Sequence, residues 1–299
     1  MEKKQKILII VGPTASGKSD LAVKLARKFK GEVISADSRQ VYRGLDIGTA
    51  KITKQGMKGV PHYLLNVVSP RKTFTAFDFV TEASRKIAEI QGRGHLPIIA
   101  GGTGFYIDAL IGRISLPNVP VNLKLRAKLE KKTLGQLMLM LKQRDPKRAK
   151  TVEPDNKRRL IRALEITMNS KPDLRNPGTH SGFDALWIGS RPSETALRKK
   201  IRLRAATQLR RGLGAEVRRL RMARVPLKRI RELGFEYTLA FDYLDKKIAR
   251  DEFLSRLESN TWRYAKRQLG YWRRNKKIQW FKPSDKTRIE REIRGWLRK

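Results

Sequence analysis

Gly12-Pro13-Thr14-Ala15-Ser16-Gly17-Lys18-Ser19 is the stretch on which the fold turns. Ahead of it stands Ile7-Leu8-Ile9-Ile10-Val11, a short unbroken apolar run of the kind that forms a strand buried on both faces of a parallel sheet. Behind it, Leu21, Leu25 and Phe29 recur every four residues with Ala22 and Ala26 beside them, which marks one apolar face of a helix from Lys18 to Phe29. A glycine loop between a buried strand and a helix satisfies the Walker A pattern in the setting that pattern needs. Its glycines let backbone N–H groups turn into one concavity, and the helix N-terminus adds partial positive charge. Lys18 adds a full charge, and the Ser19 hydroxyl is placed to hold Mg²⁺. The loop Gly12–Ser19 is therefore expected to take a diphosphate or triphosphate. The motif does not say what becomes of that ligand.

Outward from the loop, Glu32 to Ala36 reads as a second strand, ending at Asp37. Ala76, Phe79, Val80, Ala83, Ile87 and Ile90 mark another amphipathic helix, and Leu96 to Ala100 is a third buried strand, closed by Gly101-Gly102-Thr103-Gly104. Alternation of this kind predicts an α/β fold, a P-loop NTPase-like parallel sheet flanked by helices. Between about Leu116 and Pro177 the chain becomes helical and charged, bounded by Pro117, Pro120, Pro172 and Pro177. We read residues 116–183 as an inserted helical subdomain that divides the core into 1–115 and 184–299. Leu186-Trp187-Ile188-Gly189 looks like a return to the sheet, and most of the remainder reads as basic helix.

The charge is unusual: 68 Lys+Arg against 28 Asp+Glu, a formal net of +40. A small metabolite does not call for such a field, whereas a polyanion does; a surface adapted for solubility is the alternative. Arg198–Arg231 concentrates fourteen cations around a single acid, Glu216. From Trp262 to Lys282 six aromatic residues alternate with eight cations, which fits either a core-facing stripe with a solvated basic face or a platform for splayed bases. Cysteine is absent, so disulfides and Cys-based zinc sites are excluded. His62, His95 and His180 lack metal-ligand spacing, and no run is long enough to span a bilayer. The basic N-terminus leads into a glycine loop and not a cleavage site, so a cytoplasmic enzyme is expected.

Two features argue against simple nucleotide hydrolysis. The strand Leu96–Ala100 ends without the acidic residue that holds Mg²⁺ in many P-loop hydrolases. The acid that does sit at a strand end is Asp37, followed by the polar Ser38-Arg39-Gln40, and parallel sheets build their sites at carboxyl ends of strands. Asp37 is therefore expected near the mouth of the phosphate loop, among polar groups able to read a base edge; from position alone, a helix cap or a carboxylate orienting the ligands of Mg²⁺ is an equal alternative.

The block from Ile34 through Asp37-Ser38-Arg39-Gln40-Val41-Tyr42 to Lys51 resembles the tRNA dimethylallyltransferase family. So do Val60–Leu65, Gly101–Tyr106, Arg159–Glu165 and Tyr264–Gln268, and the likeness runs from about residue 7 to 282. The resemblance implies transfer of a dimethylallyl group from dimethylallyl diphosphate to N6 of the adenosine 3′-adjacent to the anticodon, with pyrophosphate leaving and Mg²⁺ assisting. It implies Asp37 as the group acting on N6, with Lys18, Thr14 and Arg204 as further catalytic residues. It further implies that Gly12 to Ser19 bind the diphosphate. The tRNA anticodon stem-loop would be met by Asp37, Ser38, Arg39, Gln40, Thr103, Arg126, Arg158, Arg159, Arg162, Lys266, Arg267 and Gln268. A monomer without membrane association is expected.

This chain departs from the family pattern at Lys200, where an arginine is usual, and at Glu236-Tyr237, where Lys-Glu is usual; Trp262-Arg263 replaces the usual Arg-Gln after Thr261. The allyl tail also needs an apolar slot that no stretch of the sequence locates. Three rival readings stand beside the family's: a free-nucleotide prenyltransferase, a small-molecule P-loop kinase and a non-catalytic RNA-binding protein.

Overall fold

The computed structural model describes residues 5–117, 119–168 and 182–299. Pro172, Pro177 and His180, and most of the basic N-terminus, lie outside them. Six strands, β1 (Gln5–Val11), β2 (Gly31–Ser35), β3 (His62–Tyr63), β4 (Leu96–Gly101), β5 (Phe183–Ser190) and β6 (Gln279–Phe281), form one sheet in the order β3-β2-β4-β1-β5-β6. Every pairing is parallel. The unbroken apolar run of β1 explains its central place, because successive side chains point to opposite faces and both faces are covered. Ile7, Ile9 and Val11 meet the helix Ala76–Gly92 through Phe79, Ala83 and Ile87. Leu8 and Ile10 meet Ala22 and Ala26 of the helix Lys18–Lys28 and Ile289 and Ile293 of the last helix, Lys286–Arg298.

The strands expected at Ile7, Glu32, Leu96 and Leu186 are all present within a few residues of their expected bounds. Strands β3 and β6 were not anticipated; at two and three residues they are too short to carry a periodic signal. Beyond β4, four helices (Leu123–Glu130, Leu134–Arg144, Pro146–Ala149 and Lys157–Thr167) enclose a small core of Leu129, Leu137, Leu141, Leu160, Ile161 and Leu164. Each begins where a side chain accepts an otherwise orphaned backbone N–H: Asn122, Thr133, Asp145 and Asn156. After β5, the helices Glu194–Arg210, Leu213–Met222, Leu227–Leu233, Phe235–Leu244 and Arg250–Trp272 build a third core. That core takes in Val41, Tyr42 and Leu45 from the loop after β2, so the C-terminal half packs directly on the segment following Asp37. No helix among the described residues is long and apolar enough to cross a membrane.

Candidate active site

Parallel pairing brings the carboxyl ends of β1, β2 and β4 to one edge, with Val11 beside Gly101 and Ser35 beside Ala100. A cavity of about 590 Å³ opens there, lined by both the phosphate loop and the turn after β2.

The loop is fixed from the far half of the chain. Gly17 adopts a left-handed backbone (φ 86), and a β-carbon at Gly12 would lie 2.6 Å from the Ser190 carbonyl oxygen, so β5 approaches too closely for any side chain. Ser190 Oγ donates to Ser16 O at 3.1 Å. The Thr14 N–H donates to Gln268 Oε1 at 2.7 Å, and Arg204 Nη1 donates to Thr14 Oγ1 at 2.8 Å. Lys18 Nζ curls back to the Pro13 carbonyl at 3.2 Å, and Lys200 Nζ stands 3.8 Å from the position of a β-carbon on Gly17. Three cations thus surround one loop. Burial pulls Lys18 down to about 8, with Asp37 opposing that fall and Arg204 adding to it. Burial likewise lowers Arg204, countered by Glu236 and Asp37. Such a cluster is electrostatically incomplete without an anion. The Ser16 hydroxyl, fully buried, has no protein partner among the described residues.

In the same cavity, Asp37 Oδ1 accepts the N–H of Arg39 at 2.8 Å and of Gln40 at 3.3 Å. One oxygen of this carboxylate caps the turn, and the hydrogen bonds of the described residues do not engage Oδ2, in a side chain that lines the cavity. Thr103 Oγ1 accepts the Ser38 N–H at 3.0 Å, which ties the end of β4 to the same turn. Tyr264 lines the cavity too, its hydroxyl pushed upward by burial and by the charges of Asp37 and Glu236. Ala22, Val33, Ile52, Leu65 and Ala100 supply the apolar part of the cavity lining.

The remaining expected residues divide. Lys266 and Arg267 are exposed on the helix Arg250–Trp272, over the rings of Trp262 and Tyr264 respectively. Arg198 lies 4.0 Å from the centroid of the Trp262 ring, whereas Trp272 is fully buried, so the aromatic run serves both surface and core. Gln268 is 5% exposed, and its amide is occupied by the protein: besides accepting from Thr14 it donates to Gly102 O at 3.1 Å. Arg126 and Arg162 both bond Glu165, a carboxylate with a side chain 1% exposed, in the small helical core. Burial pushes Glu165 upward, but hydrogen bonds from Arg126, the Asn122 N–H and Arg162 outweigh it and hold the carboxyl at about 2. Arg159 pairs with Glu153 on the surface. Arg158 pairs with Glu232, whose backbone carbonyl accepts from Arg39 at 2.5 Å.

Sequence reasoning missed Glu216, Gln208 and the place of Glu236. Glu216 is buried beneath the loop 46–48 and accepts from Tyr237. Glu236 lines the cavity, raised by burial and opposed by Arg204 and Arg39. A lone acid inside a run of fourteen cations was the available signal for Glu216.

These features define a class: a P-loop-fold enzyme in which a cationic phosphate cradle faces a carboxylate, with no acidic residue at the end of β4. The model of the IPP transferase family matches residues 40–275, and the chain belongs to that family. It is 40% identical over 297 residues to the tRNA dimethylallyltransferase of Leuconostoc citreum, covering 98% of this chain and 99% of that one. The full-length tRNA isopentenylpyrophosphate transferase of Bacillus halodurans superposes with a TM-score of 0.74 at 36% identity, covering 99% and 97% of the two chains. A eukaryotic dimethylallyltransferase captured acting on tRNA superposes with a TM-score of 0.77 at 26% identity, over 97% of this chain and 78% of that one.

Proposed function

We propose that this protein transfers a dimethylallyl group from dimethylallyl diphosphate to N6 of the adenosine 3′-adjacent to the anticodon in tRNA and releases pyrophosphate. The observation that carries the reading is that Asp37 and the phosphate loop line the same cavity, near enough for the Asp37 charge to act on Lys18. Gly12 to Ser19 hold the diphosphate, with Lys18, Lys200 and Arg204 balancing its charge. The apolar part of the cavity lining receives the five-carbon tail and keeps water from the allylic carbon.

The exocyclic amine is a weak nucleophile because its lone pair is conjugated into the ring. Attack forms the N6–C1 bond as the C1–O bond breaks, and the bonding pair leaves with pyrophosphate. Positive charge grows on N6 and negative charge on the leaving oxygens. Asp37 Oδ2 accepts the N6 proton at one end while the cradle stabilises the other, so both developing charges meet groups already in place. No cluster of three or more metal-ligating side chains exists among the described residues. The site still suits Mg²⁺, which keeps several waters and is commonly held by one or two protein oxygens together with substrate phosphates. Ser19, exposed at the cavity beside Lys18, would hold it. When bound, the ion adds neutralising charge at the leaving pyrophosphate. The adenosine reaches this enclosed site by leaving its stack. Arg39, Lys266 and Arg267, with the helices of residues 123–167, provide the basic surface that holds the stem-loop.

The test is mass analysis of nucleosides after unmodified tRNA is mixed with protein, Mg²⁺ and dimethylallyl diphosphate. One adenosine gaining a single isopentenyl unit supports the reading. Prenylation of free AMP in preference to tRNA, or ATP turnover alone, overturns it. Asp37→Ala is expected to lower turnover by about 10²- to 10⁴-fold while tRNA binding stays within about threefold.

A further inference from the structure

We infer that Glu216 is a positioning residue for the transfer reaction, holding the loop 46–48 so that Asp37 and the phosphate cradle keep their separation; this rests on the function proposed above. Glu216 is 1% exposed. Its Oε2 accepts the N–H of Asp46 at 2.9 Å and of Ile47 at 2.8 Å, and its Oε1 accepts the Gly48 N–H at 3.0 Å and the Tyr237 hydroxyl at 2.9 Å. Three consecutive N–H groups converging on one carboxylate form an anion nest, here filled by the protein's own side chain. Hydrogen bonds to an ionised acceptor are about twice as strong as neutral ones, and burial removes water as a competitor.

The opposite polarity of the same loop is held by Gln208, whose Nε2 donates to Ile47 O at 2.9 Å and Gly48 O at 2.7 Å. Gln208 lies one helical turn beyond Arg204, which bonds Thr14 of the cradle. One helix therefore grips both walls of the cavity. From the loop the connection continues to the reacting carboxylate: Gln40 Nε2 donates to Thr49 O at 3.3 Å, and the Gln40 N–H donates to Asp37 Oδ1 at 3.3 Å. Thr49 and Ala50, the next residues of the loop, line the cavity.

The departure at Tyr237 belongs to this arrangement. A β-carbon on Gly48 would lie 2.6 Å from the Tyr237 ring, so the ring seals the loop while its hydroxyl completes the four donors around Glu216. A Glu at 237, the residue the family pattern carries there, would bring a second carboxylate against Glu216.

Steady-state kinetics on three variants test the inference. Glu216→Gln keeps the size but turns one oxygen into a donor that faces backbone donors. It is expected to lower kcat by about 10- to 100-fold, the cost of a small misplacement of reacting groups, with KM for tRNA and pyrophosphate affinity within about threefold. Tyr237→Phe removes one donor of four and is expected to lower kcat by about two- to fivefold. Gln208→Ala, whose scaffold charge is unchanged, is expected to fall between them. Thermal melts report the folded fraction, and Tyr237→Phe and Gln208→Ala keep the inference open to refutation should Glu216→Gln not fold. Folded variants that retain kcat within twofold, or that lose only thermal stability, overturn it. A wild-type chain that fails to prenylate tRNA overturns the functional reading as well, whereas an active wild type with equally active variants overturns the positioning role alone.

Discussion

Asp37 divides its two oxygens: Oδ1 accepts the N–H groups of Arg39 and Gln40, and Oδ2 is the one the proposed reaction uses. Lys18 makes a comparable compromise. Burial beside Arg204 holds it near 8 in the free protein, below its ordinary 10.5. A lysine lowered this way is charged at neutral pH and loses its proton as pH rises through about 8. A bound diphosphate restores the preference for the charged form, so binding above that pH takes up a proton. Pyrophosphate affinity is accordingly expected to be flat below pH 7 and to fall by up to about tenfold per pH unit above 8. Titration calorimetry in buffers of different ionisation heat would show proton uptake near pH 8.5; a pH-independent Kd from 7 to 10 would count against the role of Lys18. Both residues were readable from sequence, since each sits within a few positions of a strand end with a strong apolar signature. Glu216 was not, because its partners lie some 170 positions away and only folding brings them together.

Beside the apolar cores, polar side chains tie particular elements together. Gln268 links the phosphate loop after β1 to the end of β4, using both ends of one amide. Gln268→Ala leaves the Gly102 carbonyl without its partner and is expected to cost about 2 kcal/mol of stability. A urea denaturation midpoint unchanged from wild type would refute that. The joint in the four-helix segment is ionic. Glu165 titrates near 2 when folded, well below its ordinary 4.5, so its contribution is complete above about pH 4.5 and disappears as pH falls toward 2. Melting temperature is expected to drop between pH 5 and 3 in the wild type and much less in Glu165→Gln, which starts lower at pH 7. The helices here were foreseeable as helices, being charged, proline-bounded and well capped. The pairing of Arg126 and Arg162 with an acid was not, because a buried glutamate in a basic segment has no periodic signature.

Across the molecule, cations far outnumber acids, yet many of them are held by the acids present. Arg158 is 71% exposed at its side chain and still pairs with Glu232, while the Glu232 backbone carbonyl holds Arg39 beside Asp37. The four-helix segment, the C-terminal helices and the turn after β2 therefore meet at one residue. Glu232→Gln is expected to tighten tRNA binding at low salt and to steepen the dependence of log Kd on log salt by about 0.7–0.9, the increment for one further phosphate contact. An unchanged slope in filter-binding assays would show that Arg158 stays away from the RNA. The parallel sheet followed from the strand–helix alternation and the unbroken apolar runs, though its strand order did not. The third core did not: the helix Glu194–Arg210, whose cations lie on several sides, carries little amphipathic signal.

The cradle's dependence on Ser190, Arg204 and Gln268 has a consequence for synthesis on the ribosome. The signature glycine loop emerges first, but its last brace is translated some 250 residues later. A nascent or prematurely terminated chain would display the motif and still lack the braces that hold the loop in shape.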